Sequence, residues 1–552
     1  MRLPDGMVSR LWRACARVAV WFVAAVARYP ESIVRGYRRS GAARRVLWRA
    51  IALTIGFALY IGLELLVARA IIADRSILAL GAMCILFLIV ILAAHPIIGL
   101  LALLVVSPIA VGFLSYRNRG VMPDIGFDGI LVYTLFVVVI IRALYSRKPI
   151  RKLEWPEALL AIYPVYVLAN YLLQDRVVSL NATRGLVEFI GFWPAVYFIT
   201  QAAIRRKEHI LWVMKALVFV GLCQGAALIY EQLTGNAYLS ILYRTPIPLK
   251  YLGWSDVGVG RSVGLFESPV VASVFLPTMM FFALHLAVGT KTRLSKLYYA
   301  VTIGVIVIGA YYTYTRNVYT IMALFMIAMP FVASKLRPLC ITVVAFVALL
   351  AVSVITPRLL SDTQFNKRIT NTENLAYRML FMQTAVNMIR DHFVWGVGYN
   401  GYLTMAPQYV SSYRESSASL GKHTGLFHST FVHNTYLYVL AEEGIVGALI
   451  YFGCLIGFLR ILMRLRRVAK PEALLGKDFL SIIVVSTVLL FVQFIPYSNH
   501  YARYMNITMW VTFSIGVRYG QFMMEELKNN RSVSEREGAA EPPPVLRISG
   551  VA

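Results

Sequence analysis

Apolar positions in this chain come in long blocks rather than in alternation. Runs of roughly 17–22 residues recur, the length an α-helix needs to cross ~30 Å of hydrocarbon. They predict spans near 51–69, 76–94, 97–116, 127–145, 156–173, 184–203, 210–230, 268–289, 296–312, 318–334, 338–356, 445–463, 479–497 and 503–520. Residues 76–116 read either as two spans or as one re-entrant hairpin around His95-Pro96. The pattern predicts an all-α, polytopic helical membrane protein of about 12–14 transmembrane helices, the only open-chain architecture lipid tolerates.

One polar stretch is long, 357–444. Within it Leu375, Met379, Met382, Val386 and Ile389 recur at helical spacing, which predicts an amphipathic helix lying at the membrane surface. Gly396, Gly398 and Gly401 are expected to break it. Tyr399, Tyr402, Tyr409 and Tyr413 follow, interleaved with serines. Flat aromatic faces beside hydroxyls suit sugar rings, and they equally suit an interfacial aromatic belt.

The expected organisation is a basic arm with an amphipathic helix at 1–50, a transmembrane body at 51–356, and a large outer loop at 357–444 carrying the candidate catalytic segment. Further transmembrane helices at 445–525 and a disordered charged tail at 526–552 follow. No internal repeat is evident.

A formal charge of +27 would suit nucleic acid, but its distribution excludes that class. Arg147-Lys148 with Arg151-Lys152, Arg205-Arg206-Lys207, Lys291 with Arg293, Lys335 with Arg337, and Arg464 with Arg466-Arg467 occupy every second connection. The positive-inside rule makes these connections cytoplasmic. Both termini are then cytoplasmic, and 231–267, 313–317 and 357–444 lie outside. The arm has eleven arginines in its first fifty residues, which suits anionic lipid. Val18–Ala27 ends in Ala25-Val26-Ala27, like a cleavage site. Cleavage would export the basic stretch Arg28–Arg49, so an uncleaved surface helix is expected instead. Cys15, Cys84, Cys223, Cys340 and Cys454 show no metal spacing and none lies in an outer loop, so they read as packing residues.

His433 closes the polar segment just before a span, where its imidazole meets the water–membrane boundary and can accept a proton near neutral pH. A span continuous from 433 would place Glu442 and Glu443 roughly 13–15 Å deep. Each buried carboxylate costs about 2.5–3.5 kcal/mol on insertion. A break at Gly444 avoids that cost. It leaves 433–443 as a short outer helix and starts the span near Ile445. On that helix Glu442 lies about 180° from His433 and cannot orient it. Three outer arginines run against the positive-inside rule: Arg261, Arg316 and Arg378. Guanidinium forks there would clamp a diphosphate, or each would contact lipid headgroups. His392, His423, His428 and His500 are also outside, with no spacing that demands metal. There is no phosphate-binding glycine loop and no nucleophile elbow. Arg184 can pair with Glu188 inside the membrane, Lys215 can snorkel, and Glu64 is the most isolated acid. These intramembrane charges keep a transporter reading in view.

The ordered set His433, Asn434, Leu437, Glu443, Gly444, Ile445 and Gly447 resembles the bacterial O-antigen ligase and O-antigen polymerase superfamily. So do Tyr377-Arg378, Met388-Ile389-Arg390-Asp391-His392 and Gly396-Val397-Gly398-Tyr399 before it, and Arg261-Ser262-Val263-Gly264 with Pro269 further upstream. Arg316 falls where the family has a serine–arginine turn, with Thr315 replacing the serine. The resemblance covers roughly 250–520 and implies a glycosyltransferase at the outer face of the bacterial inner membrane. It implies a donor glycan on undecaprenyl diphosphate, an acceptor sugar hydroxyl on lipid A core or on another lipid-linked glycan, and no cofactor or metal. It places His433 as base and Arg261, Arg316 and Arg378 on the diphosphate, with inversion at the anomeric carbon. Asn434, Tyr399 and Tyr402 are candidate glycan contacts, and Glu443 and Gly444 are structural. Membrane lipids and other polysaccharide assembly proteins are the remaining partners. Ligase and polymerase are not distinguished, and a lipid-linked oligosaccharide flippase is the alternative from another class, with a non-catalytic assembly scaffold behind it.

Overall fold

The computed structural model describes residues 95–114, 127–146, 153–174, 191–238, 262–266, 270–350, 373–410, 432–470, 474–496 and 503–536. The basic arm, the spans at 51–69 and 76–94, and Glu64, Arg184, Glu188 and Arg261 lie outside them. Every described residue falls in one unit, Ile91–Ala552. No β-strand occurs among the described residues, so the fold is all-α.

The helices follow the apolar blocks. Helix α1 is Pro96–Leu114, α2 is Phe127–Ser146, α3 is Trp155–Leu173 and α4 is Phe192–Ala203. Next come α5 (Lys207–Thr234), α6 (Ala272–Gly289), α7 (Arg293–Tyr312), α8 (Arg316–Val332) and α9 (Arg337–Leu350). Five described helices are long and apolar enough to cross a bilayer, and three shorter apolar stretches accompany them. This is a multi-pass membrane protein.

Helix α6 is central. It is buried along nearly its whole length and is packed by α5, α7, α8 and α13 (Lys477–Gln493). Lipid tails are as apolar as leucine, so burial alone does not draw these helices together. Close packing and interhelical hydrogen bonds do. Phe281 stacks on Phe325 at 4.6 Å, and Thr278 and Ser486 share a 2.9 Å hydroxyl hydrogen bond between α6 and α13. Buried Cys340 and Cys454 serve the same packing.

Hydrogen bonds also tie the helix ends. At one end the Asp478 carboxylate accepts from the amides of Ser334 and Lys335, while Arg466 donates to Ser481 Oγ and the Val332 carbonyl. Helix α14, Arg503–Arg536, belongs to this end too, with Arg518 donating to the Ile204 carbonyl and Lys207 paired with Glu526. It continues past 526, where the composition suggested that order stops. Glu525, Glu526 and Lys528 are good helix formers, and Glu526 has its ion pair.

At the other end, the polar segment contributes α10 (Glu373–Asp391) and α11 (Gly401–Tyr409) and leads into α12 (Thr435–Val468). Helix α10 agrees with the amphipathic stretch read from sequence, but its protein-facing side is different. Leu380, Phe381, Ala385 and Met388 are buried, whereas Met379 is exposed and Met382, Val386 and Ile389 are only half-buried. The helix has two apolar faces, and spacing alone does not say which one meets protein. Gly401 begins α11 rather than breaking α10.

Candidate functional site

Helix α12 is two helices. At Gly444 the chain leaves helical geometry, with φ 65° and ψ −171°. The short piece before the break carries the motif and the long piece after it crosses the membrane. The break exposes carbonyls that a continuous helix would have used, and the loop uses them instead. Val397 N donates to the Ala441 carbonyl at 2.8 Å and Gly398 N to that of Glu442 at 2.7 Å. In return Ile445 N donates to the Phe393 carbonyl at 2.9 Å.

The two acidic side chains divide the work. Glu442 turns into the loop and accepts from Asn400 N at 3.0 Å and Tyr402 N at 3.1 Å, at the start of α11. A carboxylate there meets amides that the helix cannot pair itself, on the favourable end of its dipole. Glu443 turns the other way, toward α3. Tyr163 donates to its Oε1 at 2.6 Å, and Tyr166 donates to its carbonyl. Both buried carboxylates are thus met by hydrogen-bond donors.

Glu442→Ala strands the two amides. We expect a loss of about 2–4 kcal/mol, the cost of two buried unpaired donors. Thermal unfolding in detergent reads this as a lower Tm, and Glu442→Gln, which keeps one acceptor, should lie between.

His433 stands at the turn into α12 with φ 54°, in the left-handed region. Histidine is among the few residues that visit it, at a cost of order 1–3 kcal/mol. The turn lets Asn434 accept from Leu437 N at 3.0 Å and cap the helix. Thr435 N donates to the Phe494 carbonyl at 2.8 Å, and Tyr436 OH to that of Phe491, fastening the turn to the end of α13.

The His433 ring lies 6.3 Å from the Phe381 ring, and Arg378 sits one turn earlier on α10. His433 is half-buried. Burial pushes its pKa down to about 4, and the Arg378 charge adds to the shift. Both favour the neutral imidazole, the form that accepts a proton.

The structure therefore brings Arg378 and His433 together. Arg316 lies at the first position of α8, exposed, on the same end of the bundle. The next residue, Asn317, reaches Ser273 Oγ at 3.4 Å on α6. Gln493 of α13 donates to Val270 just before α6, and Phe494 receives the amide of Thr435. These contacts join the start of α8 to the turn at His433. Arg261 is outside the described residues, but the turn it leads into is fixed. Glu231 Oε2 accepts from Val263 N at 2.6 Å and Gly264 N at 2.8 Å, and Gln224 Oε1 accepts from Leu265 N.

Tyr399 and Tyr402 are placed inside, not on a sugar-facing surface. Tyr399 sits edge-on to Tyr171, and Tyr402 packs against Tyr438 and donates to the Phe381 carbonyl. Burial, with the Glu442 charge second, raises the Tyr402 pKa well above its usual range, so it stays a donor. No face of Tyr402 is left for a ring to stack on. Asn434 spends its side-chain oxygen on the cap.

The sequence reading missed Phe381, Tyr163, Tyr166, Asn170 and Gln174. The helix α3 residues act on partners more than two hundred positions away, and no local pattern marks them. Glu231 did carry a signal: an acid ending an apolar block needs donors.

Comparison with known families places this geometry. Residues 278–452 match the O-antigen ligase family model, Wzy_C. The match includes Arg316, Arg378, His433, Glu443 and Gly444 and stops short of Arg261. No curated protein matches the chain significantly.

Proposed function

We propose, on the premise that residues 278–452 form an O-antigen ligase domain, that this protein transfers a glycan from undecaprenyl diphosphate to an acceptor sugar hydroxyl. The observation that supports it most is the placement of Arg378 beside a neutral His433 on the bundle end that also carries Arg316. The reading sets this end at the periplasmic face of the inner membrane, with both termini cytoplasmic, because the basic connections lie at the other end.

In this mechanism His433 takes the proton of the acceptor hydroxyl as its oxygen attacks the anomeric carbon. The bond from that carbon to the diphosphate oxygen breaks, and undecaprenyl diphosphate leaves with the electron pair. Arg316 and Arg378, with Arg261 assigned by resemblance alone, meet the growing charge on the leaving group. Pre-placed cations of this kind stabilise the transition state more than the ground state. Attack from the face opposite the leaving group inverts the anomeric centre.

The test is a transfer assay with purified protein and a lipid-diphosphate glycan. Product on lipid A core makes it a ligase, and lengthened lipid-linked chains make it a polymerase. Donor left intact with every acceptor, while donor crosses the bilayer of protein-containing vesicles, would reject transfer in favour of a flippase.

The acid limb of kcat/KM should lie near pH 4 rather than the ordinary histidine value of about 6.5. Arg378→Ala removes the smaller cause of that depression. Its limb should move upward without reaching 6.5, alongside any loss in rate. A wild-type limb at 6.5 removes His433 as the base.

A further inference from the structure

Phe393, Val394 and Trp395 follow α10 after His392 and are 53 %, 47 % and 60 % exposed. Three consecutive large apolar side chains facing outward are unusual on a wet loop. Their backbone is held at every step. Phe393 accepts from Ile445 N at 2.9 Å, Val394 from Val446 N at 3.5 Å, and Trp395 from Asn170 Nδ2 at 2.8 Å. The segment is strapped to the first two residues of the span that follows Gly444 and to the end of α3. Its depth is therefore the depth at which those helices meet the hydrocarbon boundary. Leu173, three residues after Asn170, and Leu449, four after Ile445, are exposed as well.

Helix α10 supplies the same face. Taking 100° per residue, Met379 and Val386 lie roughly 140° from the centre of the buried Phe381, Ala385 and Met388. Met382 and Ile389 are packed against the protein core of the polar segment, so Met379, 59 % exposed, and half-buried Val386 are what α10 leaves facing away from it. Gln383 and Arg390 are exposed on the remaining arc. One arc meets protein, one is polar, and the flank between them has the character of a surface in the membrane interface.

We infer that Phe393, Val394 and Trp395, continued by Met379 and Val386 of α10, form a wedge inserted into the lipid leaflet on the side of His433. The occupant is lipid because the backbone attachments fix the wedge at the level where two spans begin. An indole at the headgroup level with two apolar neighbours in the chain matches the interfacial preference of tryptophan. The wedge holds α10, and with it Arg378, at a set height above the hydrocarbon.

The experiment uses full-length protein in phosphatidylcholine vesicles, compared with Trp395→Phe. The wild-type-minus-variant fluorescence isolates Trp395. Bromine placed on the acyl chains near the headgroup should remove about half of that difference signal or more, as an interfacial indole requires. Bromine near the chain ends should remove less, and aqueous iodide little. Quenching by iodide alone would place Trp395 in water, and quenching by neither would place it against protein. Either result overturns the inference. Val394→Cys gives a second reading that does not depend on that variant. A charged, membrane-impermeant maleimide should label it more slowly than an apolar one, and fast labelling by the charged reagent would also overturn the inference.

Discussion

Gly444→Ala is expected to leave little folded protein. The backbone there, φ 65° and ψ −171°, lies in a region that only glycine occupies without strain. An added Cβ would also collide with the Val394 carbonyl on one side and with Gly396 N, at 2.6 Å, on the other. Both are backbone atoms, and neither can rotate away. Strain and overlap together should cost about 4 kcal/mol or more, beyond the usual range for a single substitution. Gly396 is the reciprocal partner: its own φ is 70°, and its Cβ would meet Gly444 N at 2.5 Å. Gly396→Ala should be similarly damaging. Because the two changes break one contact, the double variant should lose less than the sum of the singles. Detergent-solubilised yield and thermal unfolding measure this. A Gly444→Ala protein that melts within a few degrees of wild type would mean that the break relaxes to an ordinary helix.

His433→Ala is expected to lose transfer by about 10²–10⁴-fold, the range for a removed general base. It should keep its fold. The substitution also removes one source of acid sensitivity. As pH falls below about 6.5 the unfolded chain takes up a proton that folded His433, with its pKa near 4, refuses. Wild-type stability should therefore decline through that window, and the variant should decline less. The pairing of results separates chemistry from folding: activity collapses while the loss of stability on acidification shrinks. His433→Ala with undiminished turnover would assign the proton to another group.

The sequence made the helices legible because lipid imposes a simple rule on length and polarity. It made the Gly444 break legible for the same reason, since two carboxylates could not run on into hydrocarbon. The polar segment was harder. Its helix at α10 was evident, but the buried side was not, because Phe381, Ala385 and Met388 are as apolar as the stripe chosen from spacing. Glu442 could be excluded as a partner for His433, yet nothing nearby in sequence showed that it holds Asn400 and Tyr402. The tyrosines after Gly398 looked like surface aromatics because composition does not reveal burial. His433 and Arg378 are fifty-five positions apart, by subtraction, and became neighbours only once α10 had packed against α12.

The hold of α3 on Glu443 limits how far the family-matched region can travel by itself. Residues 278–452 contain the histidine, two arginines and the break at Gly444. Tyr163, Tyr166, Asn170 and Gln174, which receive that break and the turn beside it, come from outside the region. A chimera that grafts the matched region onto a foreign amino-terminal half would take the Tyr163 donor from a buried carboxylate and the Asn170 and Gln174 donors from two loop carbonyls. Exchange between relatives should work only when α3 is carried along, so the smallest transplantable unit is discontinuous in the gene.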